Sequence, residues 1–314
     1  MGRVLVVAAT HGNERNGGWL LEGWRQDPEA LQHAGLAVQL AIGNPAAWVE
    51  CRRYLDRDLN RSFDPALLAD PARQEREVAR ARELLERYGP EGQIPCLVAI
   101  DLHSTTAAMG NSLVIYGRRP TDLALAAGLQ QQLGLPIYLH EGDPAQTGYL
   151  AERWPCGLVI EVGPVPQGVL TARLVRQSQL AVEETLAQLA QARAGRQGQP
   201  RALVVHRHLG SLDLPRDAAG TPLALVHPRR QHRDWQPMRP GDPLFLDRRG
   251  RTLAYEPPAH LGADPVWPVF INEAAYGEKG IALGLTRREE WPVAPAWAEA
   301  LQERCAALEE QAGA

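Results

Sequence analysis

The sequence predicts an α/β fold in which a three-layer domain is followed by a smaller β-rich domain. Three observations support this prediction. Up to about residue 200, short apolar runs rich in β-branched residues alternate with longer helical stretches, as βαβ units do. Residues 195–200 form a polar stretch with two glycines, which indicates a linker. Beyond it, short strand-like runs are separated by turn sequences such as Pro240-Gly241-Asp242.

The elements of the first domain follow from hydrophobic periodicity. Short apolar runs predict buried strands at residues 4–10, 38–42, 97–103, 112–116, 137–139 and 158–162. Stretches with helical spacing predict helices at residues 16–31, 65–88, 121–133 and 171–194. The second of these helices is long, charged and amphipathic, and it ends at Gly89-Pro90.

The second domain has shorter elements. Its predicted strands are residues 202–205, 223–226, 244–246 and 269–272. Residues 295–311 alternate Ala, Leu, Glu and Arg at helical spacing, which predicts a surface helix. We therefore predict domain boundaries of 1–200 and 201–314.

Composition narrows the class of partner. The formal net charge is -4, and both signs are spread along the chain, so no basic stripe indicates nucleic acid and no polybasic cluster indicates a membrane. The four cysteines are far apart and form no Cys-x-x-Cys pair, which fits a reducing compartment. Without a signal-peptide core or an apolar run of membrane-spanning length, we expect a soluble cytoplasmic protein that acts on a small molecule.

Two histidines and a glutamate come at the ends of predicted strands. His11 and Glu14 follow the apolar run of residues 4–10, and His103 ends the run of residues 97–102. Because sites in open α/β sheets form at the carboxyl ends of strands, these three side chains are expected to converge. Two imidazoles and one carboxylate are a zinc set that leaves a position for water. The alternative is that each histidine is only a hydrogen-bonded loop residue.

Further polar residues suit the same chemistry. Residues 52–61 are dense in arginine and aspartate, which indicates either a solvated loop or a clamp for a substrate carboxylate. Glu161 ends the run of residues 158–162, where burial would raise its pKa and suit it to act as a general base. Asp101 lies two residues before His103, on the same face of the strand, and could orient that imidazole.

With these motifs the chain closely resembles the aspartoacylase family, relatives of succinylglutamate desuccinylase within the zinc carboxypeptidase superfamily. The matching segments run in family order over nearly the whole chain. They are Thr10-His11-Gly12-Asn13-Glu14, Arg53-Tyr54-Leu55-Asp56, Asp58-Leu59-Asn60-Arg61, Asp101-Leu102-His103-Ser104-Thr105-Thr106, Ile160-Glu161-Val162-Gly163-Pro164, Pro166-Gln167-Gly168-Val169 and Asn272-Glu273-Ala274-Ala275-Tyr276.

The resemblance implies a mixed sheet and a zinc-dependent deacylase of N-acyl amino acids, with N-acetyl-L-aspartate as the expected substrate. His11, Glu14 and His103 would ligate one Zn²⁺ per chain. Arg53 would polarise the scissile carbonyl, and Glu161 would be the catalytic carboxylate. The side chains expected to orient this machinery are Asp101 and Asp58. A homodimer is also implied.

Substrate recognition is expected from a second group of side chains. By resemblance, Asn60 and Arg61 would bind the α-carboxylate, and Tyr276 would cover the bound amino acid. Family members that act on acetylaspartate carry an arginine before the Glu-Val-Gly-Pro motif, and this chain has none at that offset. Arg153 is a candidate replacement. Lys279, the only lysine in the sequence, is expected at the rim near Tyr276, where it would favour acidic substrates.

Other functions stay open at this point. They are deacylation of other N-acyl amino acids, as by a succinylglutamate desuccinylase, peptide cleavage by a carboxypeptidase, and non-catalytic zinc binding. Glu161 and Arg53 favour the enzyme, because a binding protein needs neither a general base nor an oxyanion donor. His206 and His208 lie on one strand face and could form a second metal site, although half-buried strand histidines are the simpler interpretation.

Overall fold

The structure is a computed structural model that describes residues 2–143, 146–198 and 200–310. Its strands are β1 (Arg3–Ala8), β2 (Val38–Ile42), β3 (Cys96–Ser104), β4 (Asn111–Tyr116), β5 (Ile137–His140), β6 (Cys156–Val162), β7 (Ala202–Leu212), β8 (Ala224–Val226), β9 (Pro243–Asp247), β10 (Thr252–Ala254), β11 (Trp267–Val269) and β12 (Leu283–Pro292). Its α-helices are α1 (Arg15–Gln26), α2 (Pro45–Glu50), α3 (Pro65–Ala69), α4 (Arg76–Tyr88), α5 (Pro120–Leu133), α6 (Ala172–Arg193) and α7 (Pro295–Ala306). In these ranges no helix combines the length and apolar character needed to span a bilayer.

A nine-stranded mixed sheet organises the chain, in the order β11-β12-β7-β5-β4-β6-β3-β1-β2. The strands β2, β1, β3 and β6 are parallel neighbours, whereas β4 is antiparallel to β6. In this register Ala8 lies opposite Leu102, and His103 lies opposite Glu161. The carboxyl ends of β1, β3 and β6 therefore meet at one edge of the sheet.

Alternate residues of the central strands face two separate cores. In β1, Val4 and Val6 pack into a core formed with α1, α5 and α6, whereas Leu5 and Val7 face a second core that contains α4. All four side chains are fully buried. Because successive side chains of a strand point to opposite faces, this division confirms the predicted three layers.

The second part of the chain is not separated from the first sheet. Strand β7 pairs in parallel with β5, and β12 and β11 continue the same sheet beyond it. Strands β8, β9 and β10 form a small sheet with a core of their own. Helix α7 returns to pack against α5 and α6, where Leu301 and Cys305 are buried. The β-rich part is therefore joined to the strands of the first 200 residues by strand pairing.

Three predicted boundaries are wrong for local backbone reasons. The helix predicted at 65–88 is two helices, because Asp70 is extended before Pro71, which disfavours helix at the preceding residue. The helix predicted at 16–31 ends at Gln26, with Asp27 extended before Pro28. The strand predicted at 269–272 ends at Val269, because Phe270 has a positive φ of 52°.

Candidate active site

His11, Glu14 and His103 converge at the sheet edge formed by β1 and β3. Nδ1 of His11 lies 2.6 Å from Oε1 of Glu14, and Nδ1 of His103 lies 3.0 Å from Oε2. The turn between β1 and α1 packs tightly, because a Cβ at Gly12 would lie 2.1 Å from the carbonyl carbon of Ala47. All three side chains are buried. One ligand atom from each lies within 4.8 Å of the others.

The outer nitrogen of each imidazole contacts a second carboxylate. Nε2 of His11 lies 2.9 Å from Oδ1 of Asp58, and Nε2 of His103 lies 2.7 Å from Oδ2 of Asp101. Such a carboxylate fixes the tautomer and the orientation of a metal-ligating histidine. With Nε2 protonated, each Nδ1 presents its lone pair toward the Glu14 carboxylate, so the three groups are arranged around a shared cation. The donor set therefore fits zinc, with two nitrogens and a carboxylate around one point.

Buried charge holds Glu14 in its ionised form. Burial alone would raise the pKa of Glu14, but the adjacent His11 and His103 hold it well below the ordinary value. Backbone N–H of Ser104 also donates to Oε2 at 2.9 Å. Glu14 is therefore available as an anionic ligand at neutral pH.

The arginine-rich loop after α2 turns inward. Arg53 donates from Nη1 to Oε1 of Glu14 at 3.3 Å and from Nη2 to Oδ2 of Asp58 at 3.2 Å. Its Nε is buried and has no hydrogen-bond partner in the described ranges. Burial opposes the charge, but Asp58 and Glu14 raise the pKa of the guanidinium. The loop is thus a part of the site, and Arg53 keeps one donor free.

Asn60 and Arg61 lie in a short 3₁₀ turn, Leu59–Arg61, at the same site. The Oδ1 atom of Asn60 accepts from the N–H of Leu150 at 2.9 Å, which leaves its amide N–H groups to donate. Arg61 donates to Oε1 of Gln146 at 3.0 Å, and its guanidinium lies 4.1 Å from the ring centre of Tyr149. Both side chains line the cavity beside the three ligand-type residues.

Glu161 faces the same cavity from β6. Its side chain is buried, and its neighbour across the strand pair is His103. Burial raises the pKa of Glu161 well above the ordinary value, against the positive influence of His103 and with help from Glu14 and Glu273. A carboxyl group with this environment is suited to take up a proton near neutral pH.

The second part of the chain completes the site through residues 273–276. The carboxylate of Glu273 accepts the N–H of Thr106 at 2.7 Å, the N–H of Ala107 at 3.2 Å and the hydroxyl of Thr105. These contacts join the 3₁₀ turn Ala274–Lys279 to the loop that follows β3. Tyr276 in that turn lines the cavity.

The cavity has about 60 Å³ of free volume, and part of its lining is aromatic. Its aromatic lining comprises Tyr116, Tyr138, Tyr149, Phe270 and Tyr276. His140 also lines it, and burial together with His208 lowers the pKa of His140 to about 4, so this ring is neutral at pH 7. An outer groove of about 1340 Å³ adjoins the cavity at Arg61 and Gln146.

Two predicted substrate residues lie outside the enclosed cavity. Lys279 lines the outer groove, with Nζ 3.3 Å from Oδ2 of Asp58 and 5.7 Å from the ring centre of Tyr276. Burial and the nearby Arg61 lower the pKa of Lys279 to about 8. Arg153 is exposed and does not line either the cavity or the groove, so the structure does not bring it to the substrate.

The histidines of β7 do not gather metal ligands. Nδ1 of His208 lies 2.9 Å from the hydroxyl of Tyr138, and the ring of His206 packs against Trp235. Over the described ranges, the group of side chains arranged for a metal is that of His11, Glu14 and His103. The simpler interpretation of the β7 histidines, as buried polar residues, fits this geometry.

Sequence reasoning missed several residues that line or support the cavity, among them Tyr116, Tyr138, His140 and Glu273. His140 ends β5 much as His103 falls at the end of β3, so the strand-end signal could have found it. Glu273 stands within a quoted motif, three residues before Tyr276. Nothing in the local pattern indicates the two tyrosines, because they reach the site only through strand pairing.

Two family models match the chain. The model described as the succinylglutamate desuccinylase/aspartoacylase catalytic domain covers residues 1–189, and the AstE/AspA barrel-sandwich hybrid domain covers residues 201–288. The chain belongs to the succinylglutamate desuccinylase/aspartoacylase family. Membership confirms the resemblance predicted from the motifs and the predicted fold class.

Individual members of this family match over most of their length. The "Probable aspartoacylase" of Parasynechococcus marenigrum strain WH8102 is 58% identical over 300 residues, which cover 96% of this chain and 97% of that one. Murine aminoacylase 3 is 38% identical with a TM-score of 0.82, over 93% of this chain and 97% of that one. Succinylglutamate desuccinylase from Chromobacterium violaceum, 16% identical with a TM-score of 0.57, covers 93% of this chain and 85% of its own and shares the fold.

Proposed function

We propose that this protein is a zinc-dependent amidohydrolase that removes the acyl group from an N-acyl amino acid. One observation carries the proposal: a buried His/Glu/His group, a buried glutamate and an arginine with a free donor share one enclosed cavity. Family membership and the names of the relatives support the same reaction class. A binding protein would need the ligands but not Glu161 or Arg53.

Zinc, when bound by His11, Glu14 and His103, would lower the pKa of a water molecule and polarise the amide carbonyl. Glu161 takes the proton of the attacking water and later returns it to the leaving amine. Arg53 donates to the carbonyl oxygen as negative charge develops there. These roles use the raised pKa of Glu161 and the free Nε of Arg53.

A second group of cavity residues would bind the substrate. Arg61, with the amide group of Asn60, whose Nδ2 lies 3.5 Å from Nε2 of His103, would hold the α-carboxylate of the substrate. Tyr276, from the second part of the chain, lines the cavity and would cover the bound amino acid.

We propose N-acetyl-L-aspartate as the first substrate candidate, with acetate and L-aspartate as products. Lys279 at the cavity rim would attract its second carboxylate, and relatives are named as aspartoacylases. A second candidate class, N-acyl amino acids with uncharged side chains, is favoured by the aromatic lining and by the neutral ring of His140.

Steady-state kinetics on N-acetyl-aspartate, N-acetyl-glutamate, N-acetyl-leucine and N-acetyl-tyrosine test both candidates. The acidic-substrate proposal requires aspartate to give the highest kcat/KM and Lys279→Ala to raise its KM, less so at high salt. The matched control is Arg153→Ala, which removes an exposed cation outside the cavity. Faster cleavage of the leucine or tyrosine derivative would replace the first candidate with the second. No cleavage of any of the four would contradict the deacylase proposal.

We also propose that the protein is cytoplasmic and that it forms a homodimer. The cysteines Cys51, Cys96, Cys156 and Cys305 are free thiols, which supports a reducing compartment. Sedimentation analysis of the purified protein would test the dimer. Peptide cleavage by a carboxypeptidase is the alternative within the enzyme class, and a peptide panel would test it.

A further inference from the structure

A buried carboxylate outside the cavity holds the loop that carries Arg53 and Asp58. Glu77 lies in the first turn of α4 and is 1% exposed. Its Oε1 accepts the N–H of Leu55 at 2.7 Å, and its Oε2 accepts those of Asp56 and Arg57 at 3.1 and 3.0 Å. Three consecutive backbone N–H groups thus converge on one side chain, as in an anion-binding nest.

The contact is reciprocal. The side chain of Asp56 accepts the N–H of Arg76 at 2.9 Å, which satisfies a donor at the first turn of α4. The loop therefore contacts the start of α4 through the carboxylate of Asp56, and α4 contacts the loop through the carboxylate of Glu77. Together these contacts fix both the position and the direction of residues 55–57.

Glu77 also reaches the turn that carries His11. The Nδ2 atom of Asn44 donates to Oε1 of Glu77 at 3.0 Å, while Oδ1 of Asn44 caps α2 by accepting the N–H of Ala47. Helix α2 packs against Gly12 so closely that no side chain fits there. Backbone N–H of Gly12 in turn donates to the carbonyl of Arg53 at 3.2 Å.

We infer that Glu77 is a positioning residue for the proposed reaction: it acts through the loop of residues 53–58 to aim Arg53 and Asp58. Burying a carboxylate is costly unless it is fully hydrogen-bonded, and Glu77 receives four N–H donors. Without it, four donors lose their acceptor and the loop gains freedom. Since Arg53 must meet the carbonyl oxygen within a fraction of an ångström, small shifts would lower turnover.

Glu77→Gln tests the inference, because it keeps size but turns one acceptor oxygen into a donor that faces N–H groups. The matched control is Asp122→Asn, since Asp122 is fully buried, accepts the N–H of Gly157 at 2.9 Å and pairs with Arg119 away from the cavity. We expect kcat of Glu77→Gln to fall by about 10- to 100-fold per zinc-loaded chain, with a smaller change in KM. Asp122→Asn should keep the wild-type kcat.

Two further readouts separate positioning from simple destabilisation. Amide hydrogen exchange at Leu55, Asp56 and Arg57 should accelerate in Glu77→Gln and stay unchanged in Asp122→Asn. In an Arg53→Ala background, adding Glu77→Gln should cost less in kcat than it does in the wild type, since one of the two side chains it positions is already gone. If Glu77→Gln does not fold, Glu77→Asp keeps both acceptors on a shorter arm, and both effects are expected in reduced size.

If hydrogen exchange at Leu55, Asp56 and Arg57 is unchanged in Glu77→Gln, then Glu77 does not hold the loop and the inference is wrong. An equal loss of kcat in the wild-type and Arg53→Ala backgrounds would overturn its action through Arg53. The kcat measurement rests on the proposed deacylase function, whereas the hydrogen-exchange measurement does not. If the wild-type protein is inactive but exchange is accelerated in Glu77→Gln, the proposed function is contradicted and the role of Glu77 in holding the loop is supported.

Discussion

Asp101 offers the sharpest test of how the imidazole of His103 is held. It is fully buried, with Oδ2 2.7 Å from Nε2 of His103 and Oδ1 accepting the hydroxyl of Thr10 at 2.7 Å. In Asp101→Asn one of these positions must become an amide N–H. The hydroxyl of Thr10 can accept as well as donate, so the amide is expected to turn its oxygen toward His103.

The magnitude follows from this exchange. The bond to His103 survives, but it loses the negative charge that makes it about twice as strong as a neutral bond. Loss of a carboxylate behind a ligating histidine typically weakens metal binding about 10- to 100-fold, or about 1.4 to 2.7 kcal/mol. We expect Asp101→Asn to fall in this range, and Asp101→Ala to lie at or beyond its upper end.

Competition with a chromophoric chelator at pH 7 measures the zinc dissociation constant directly. Thr10→Val is the matched control, because it removes the hydroxyl partner of Asp101 and leaves the contact with His103 in place. It should change the constant less than the Asn variant does. If Asp101→Asn binds zinc within twofold of the wild type, Asp101 does not orient the ligand and the interpretation fails.

Three other predictions concern catalysis and stability. Glu161→Gln should retain zinc and lose about 100-fold or more in kcat, because an amide cannot take up the proton; turnover within a few-fold of wild type would assign the base elsewhere. Burial raises the pKa of Asp234 to about 6, above its value in the unfolded chain. The folded protein therefore loses stability as the pH rises from about 4 to 6, and it does not regain that stability at higher pH. Asp234→Asn should therefore raise the free energy of unfolding at pH 7 by up to about 3 kcal/mol, with a smaller gain at pH 4 in urea titrations; equal effects at both pH values would contradict it. Trp154 is 1% exposed, packs near Phe63 and donates to the carbonyl of Tyr88. Trp154→Ala should therefore lower the free energy of unfolding by about 3 to 5 kcal/mol in the same assay. A loss below about 1 kcal/mol would argue against this packing.

The parts of the fold that depend on local pattern were predictable. Runs such as Val38–Ile42 match their strands because period and burial coincide there. Pairing between β5 and β7 joins residues about seventy positions apart, and no local signal specifies it. For this reason the sequence pattern could not show that the nine-stranded sheet continues beyond residue 200.

The candidate site likewise contains residues that the local sequence pattern could predict and residues that it could not. His11, Glu14, His103 and Glu161 were predictable because each comes at or just after the end of a buried strand, where parallel strands bring side chains together. Glu77 was not, since its role depends on a helix start that appears only when the predicted helix of 65–88 breaks at Pro71. Lys279 lines the outer groove, and its Nζ pairs with Asp58, a contact between residues 221 positions apart that no spacing rule predicts.

The most direct test of a zinc centre at His11, Glu14 and His103 is the metal content of the purified chain after zinc loading and dialysis. Elemental analysis should find one zinc per wild-type chain and close to none in the His11→Ala/His103→Ala double variant. Anomalous diffraction at the zinc edge should place that zinc between the two Nδ1 atoms and the Glu14 carboxylate. Stoichiometric zinc in the double variant, or an anomalous peak away from these three side chains, would contradict the assignment.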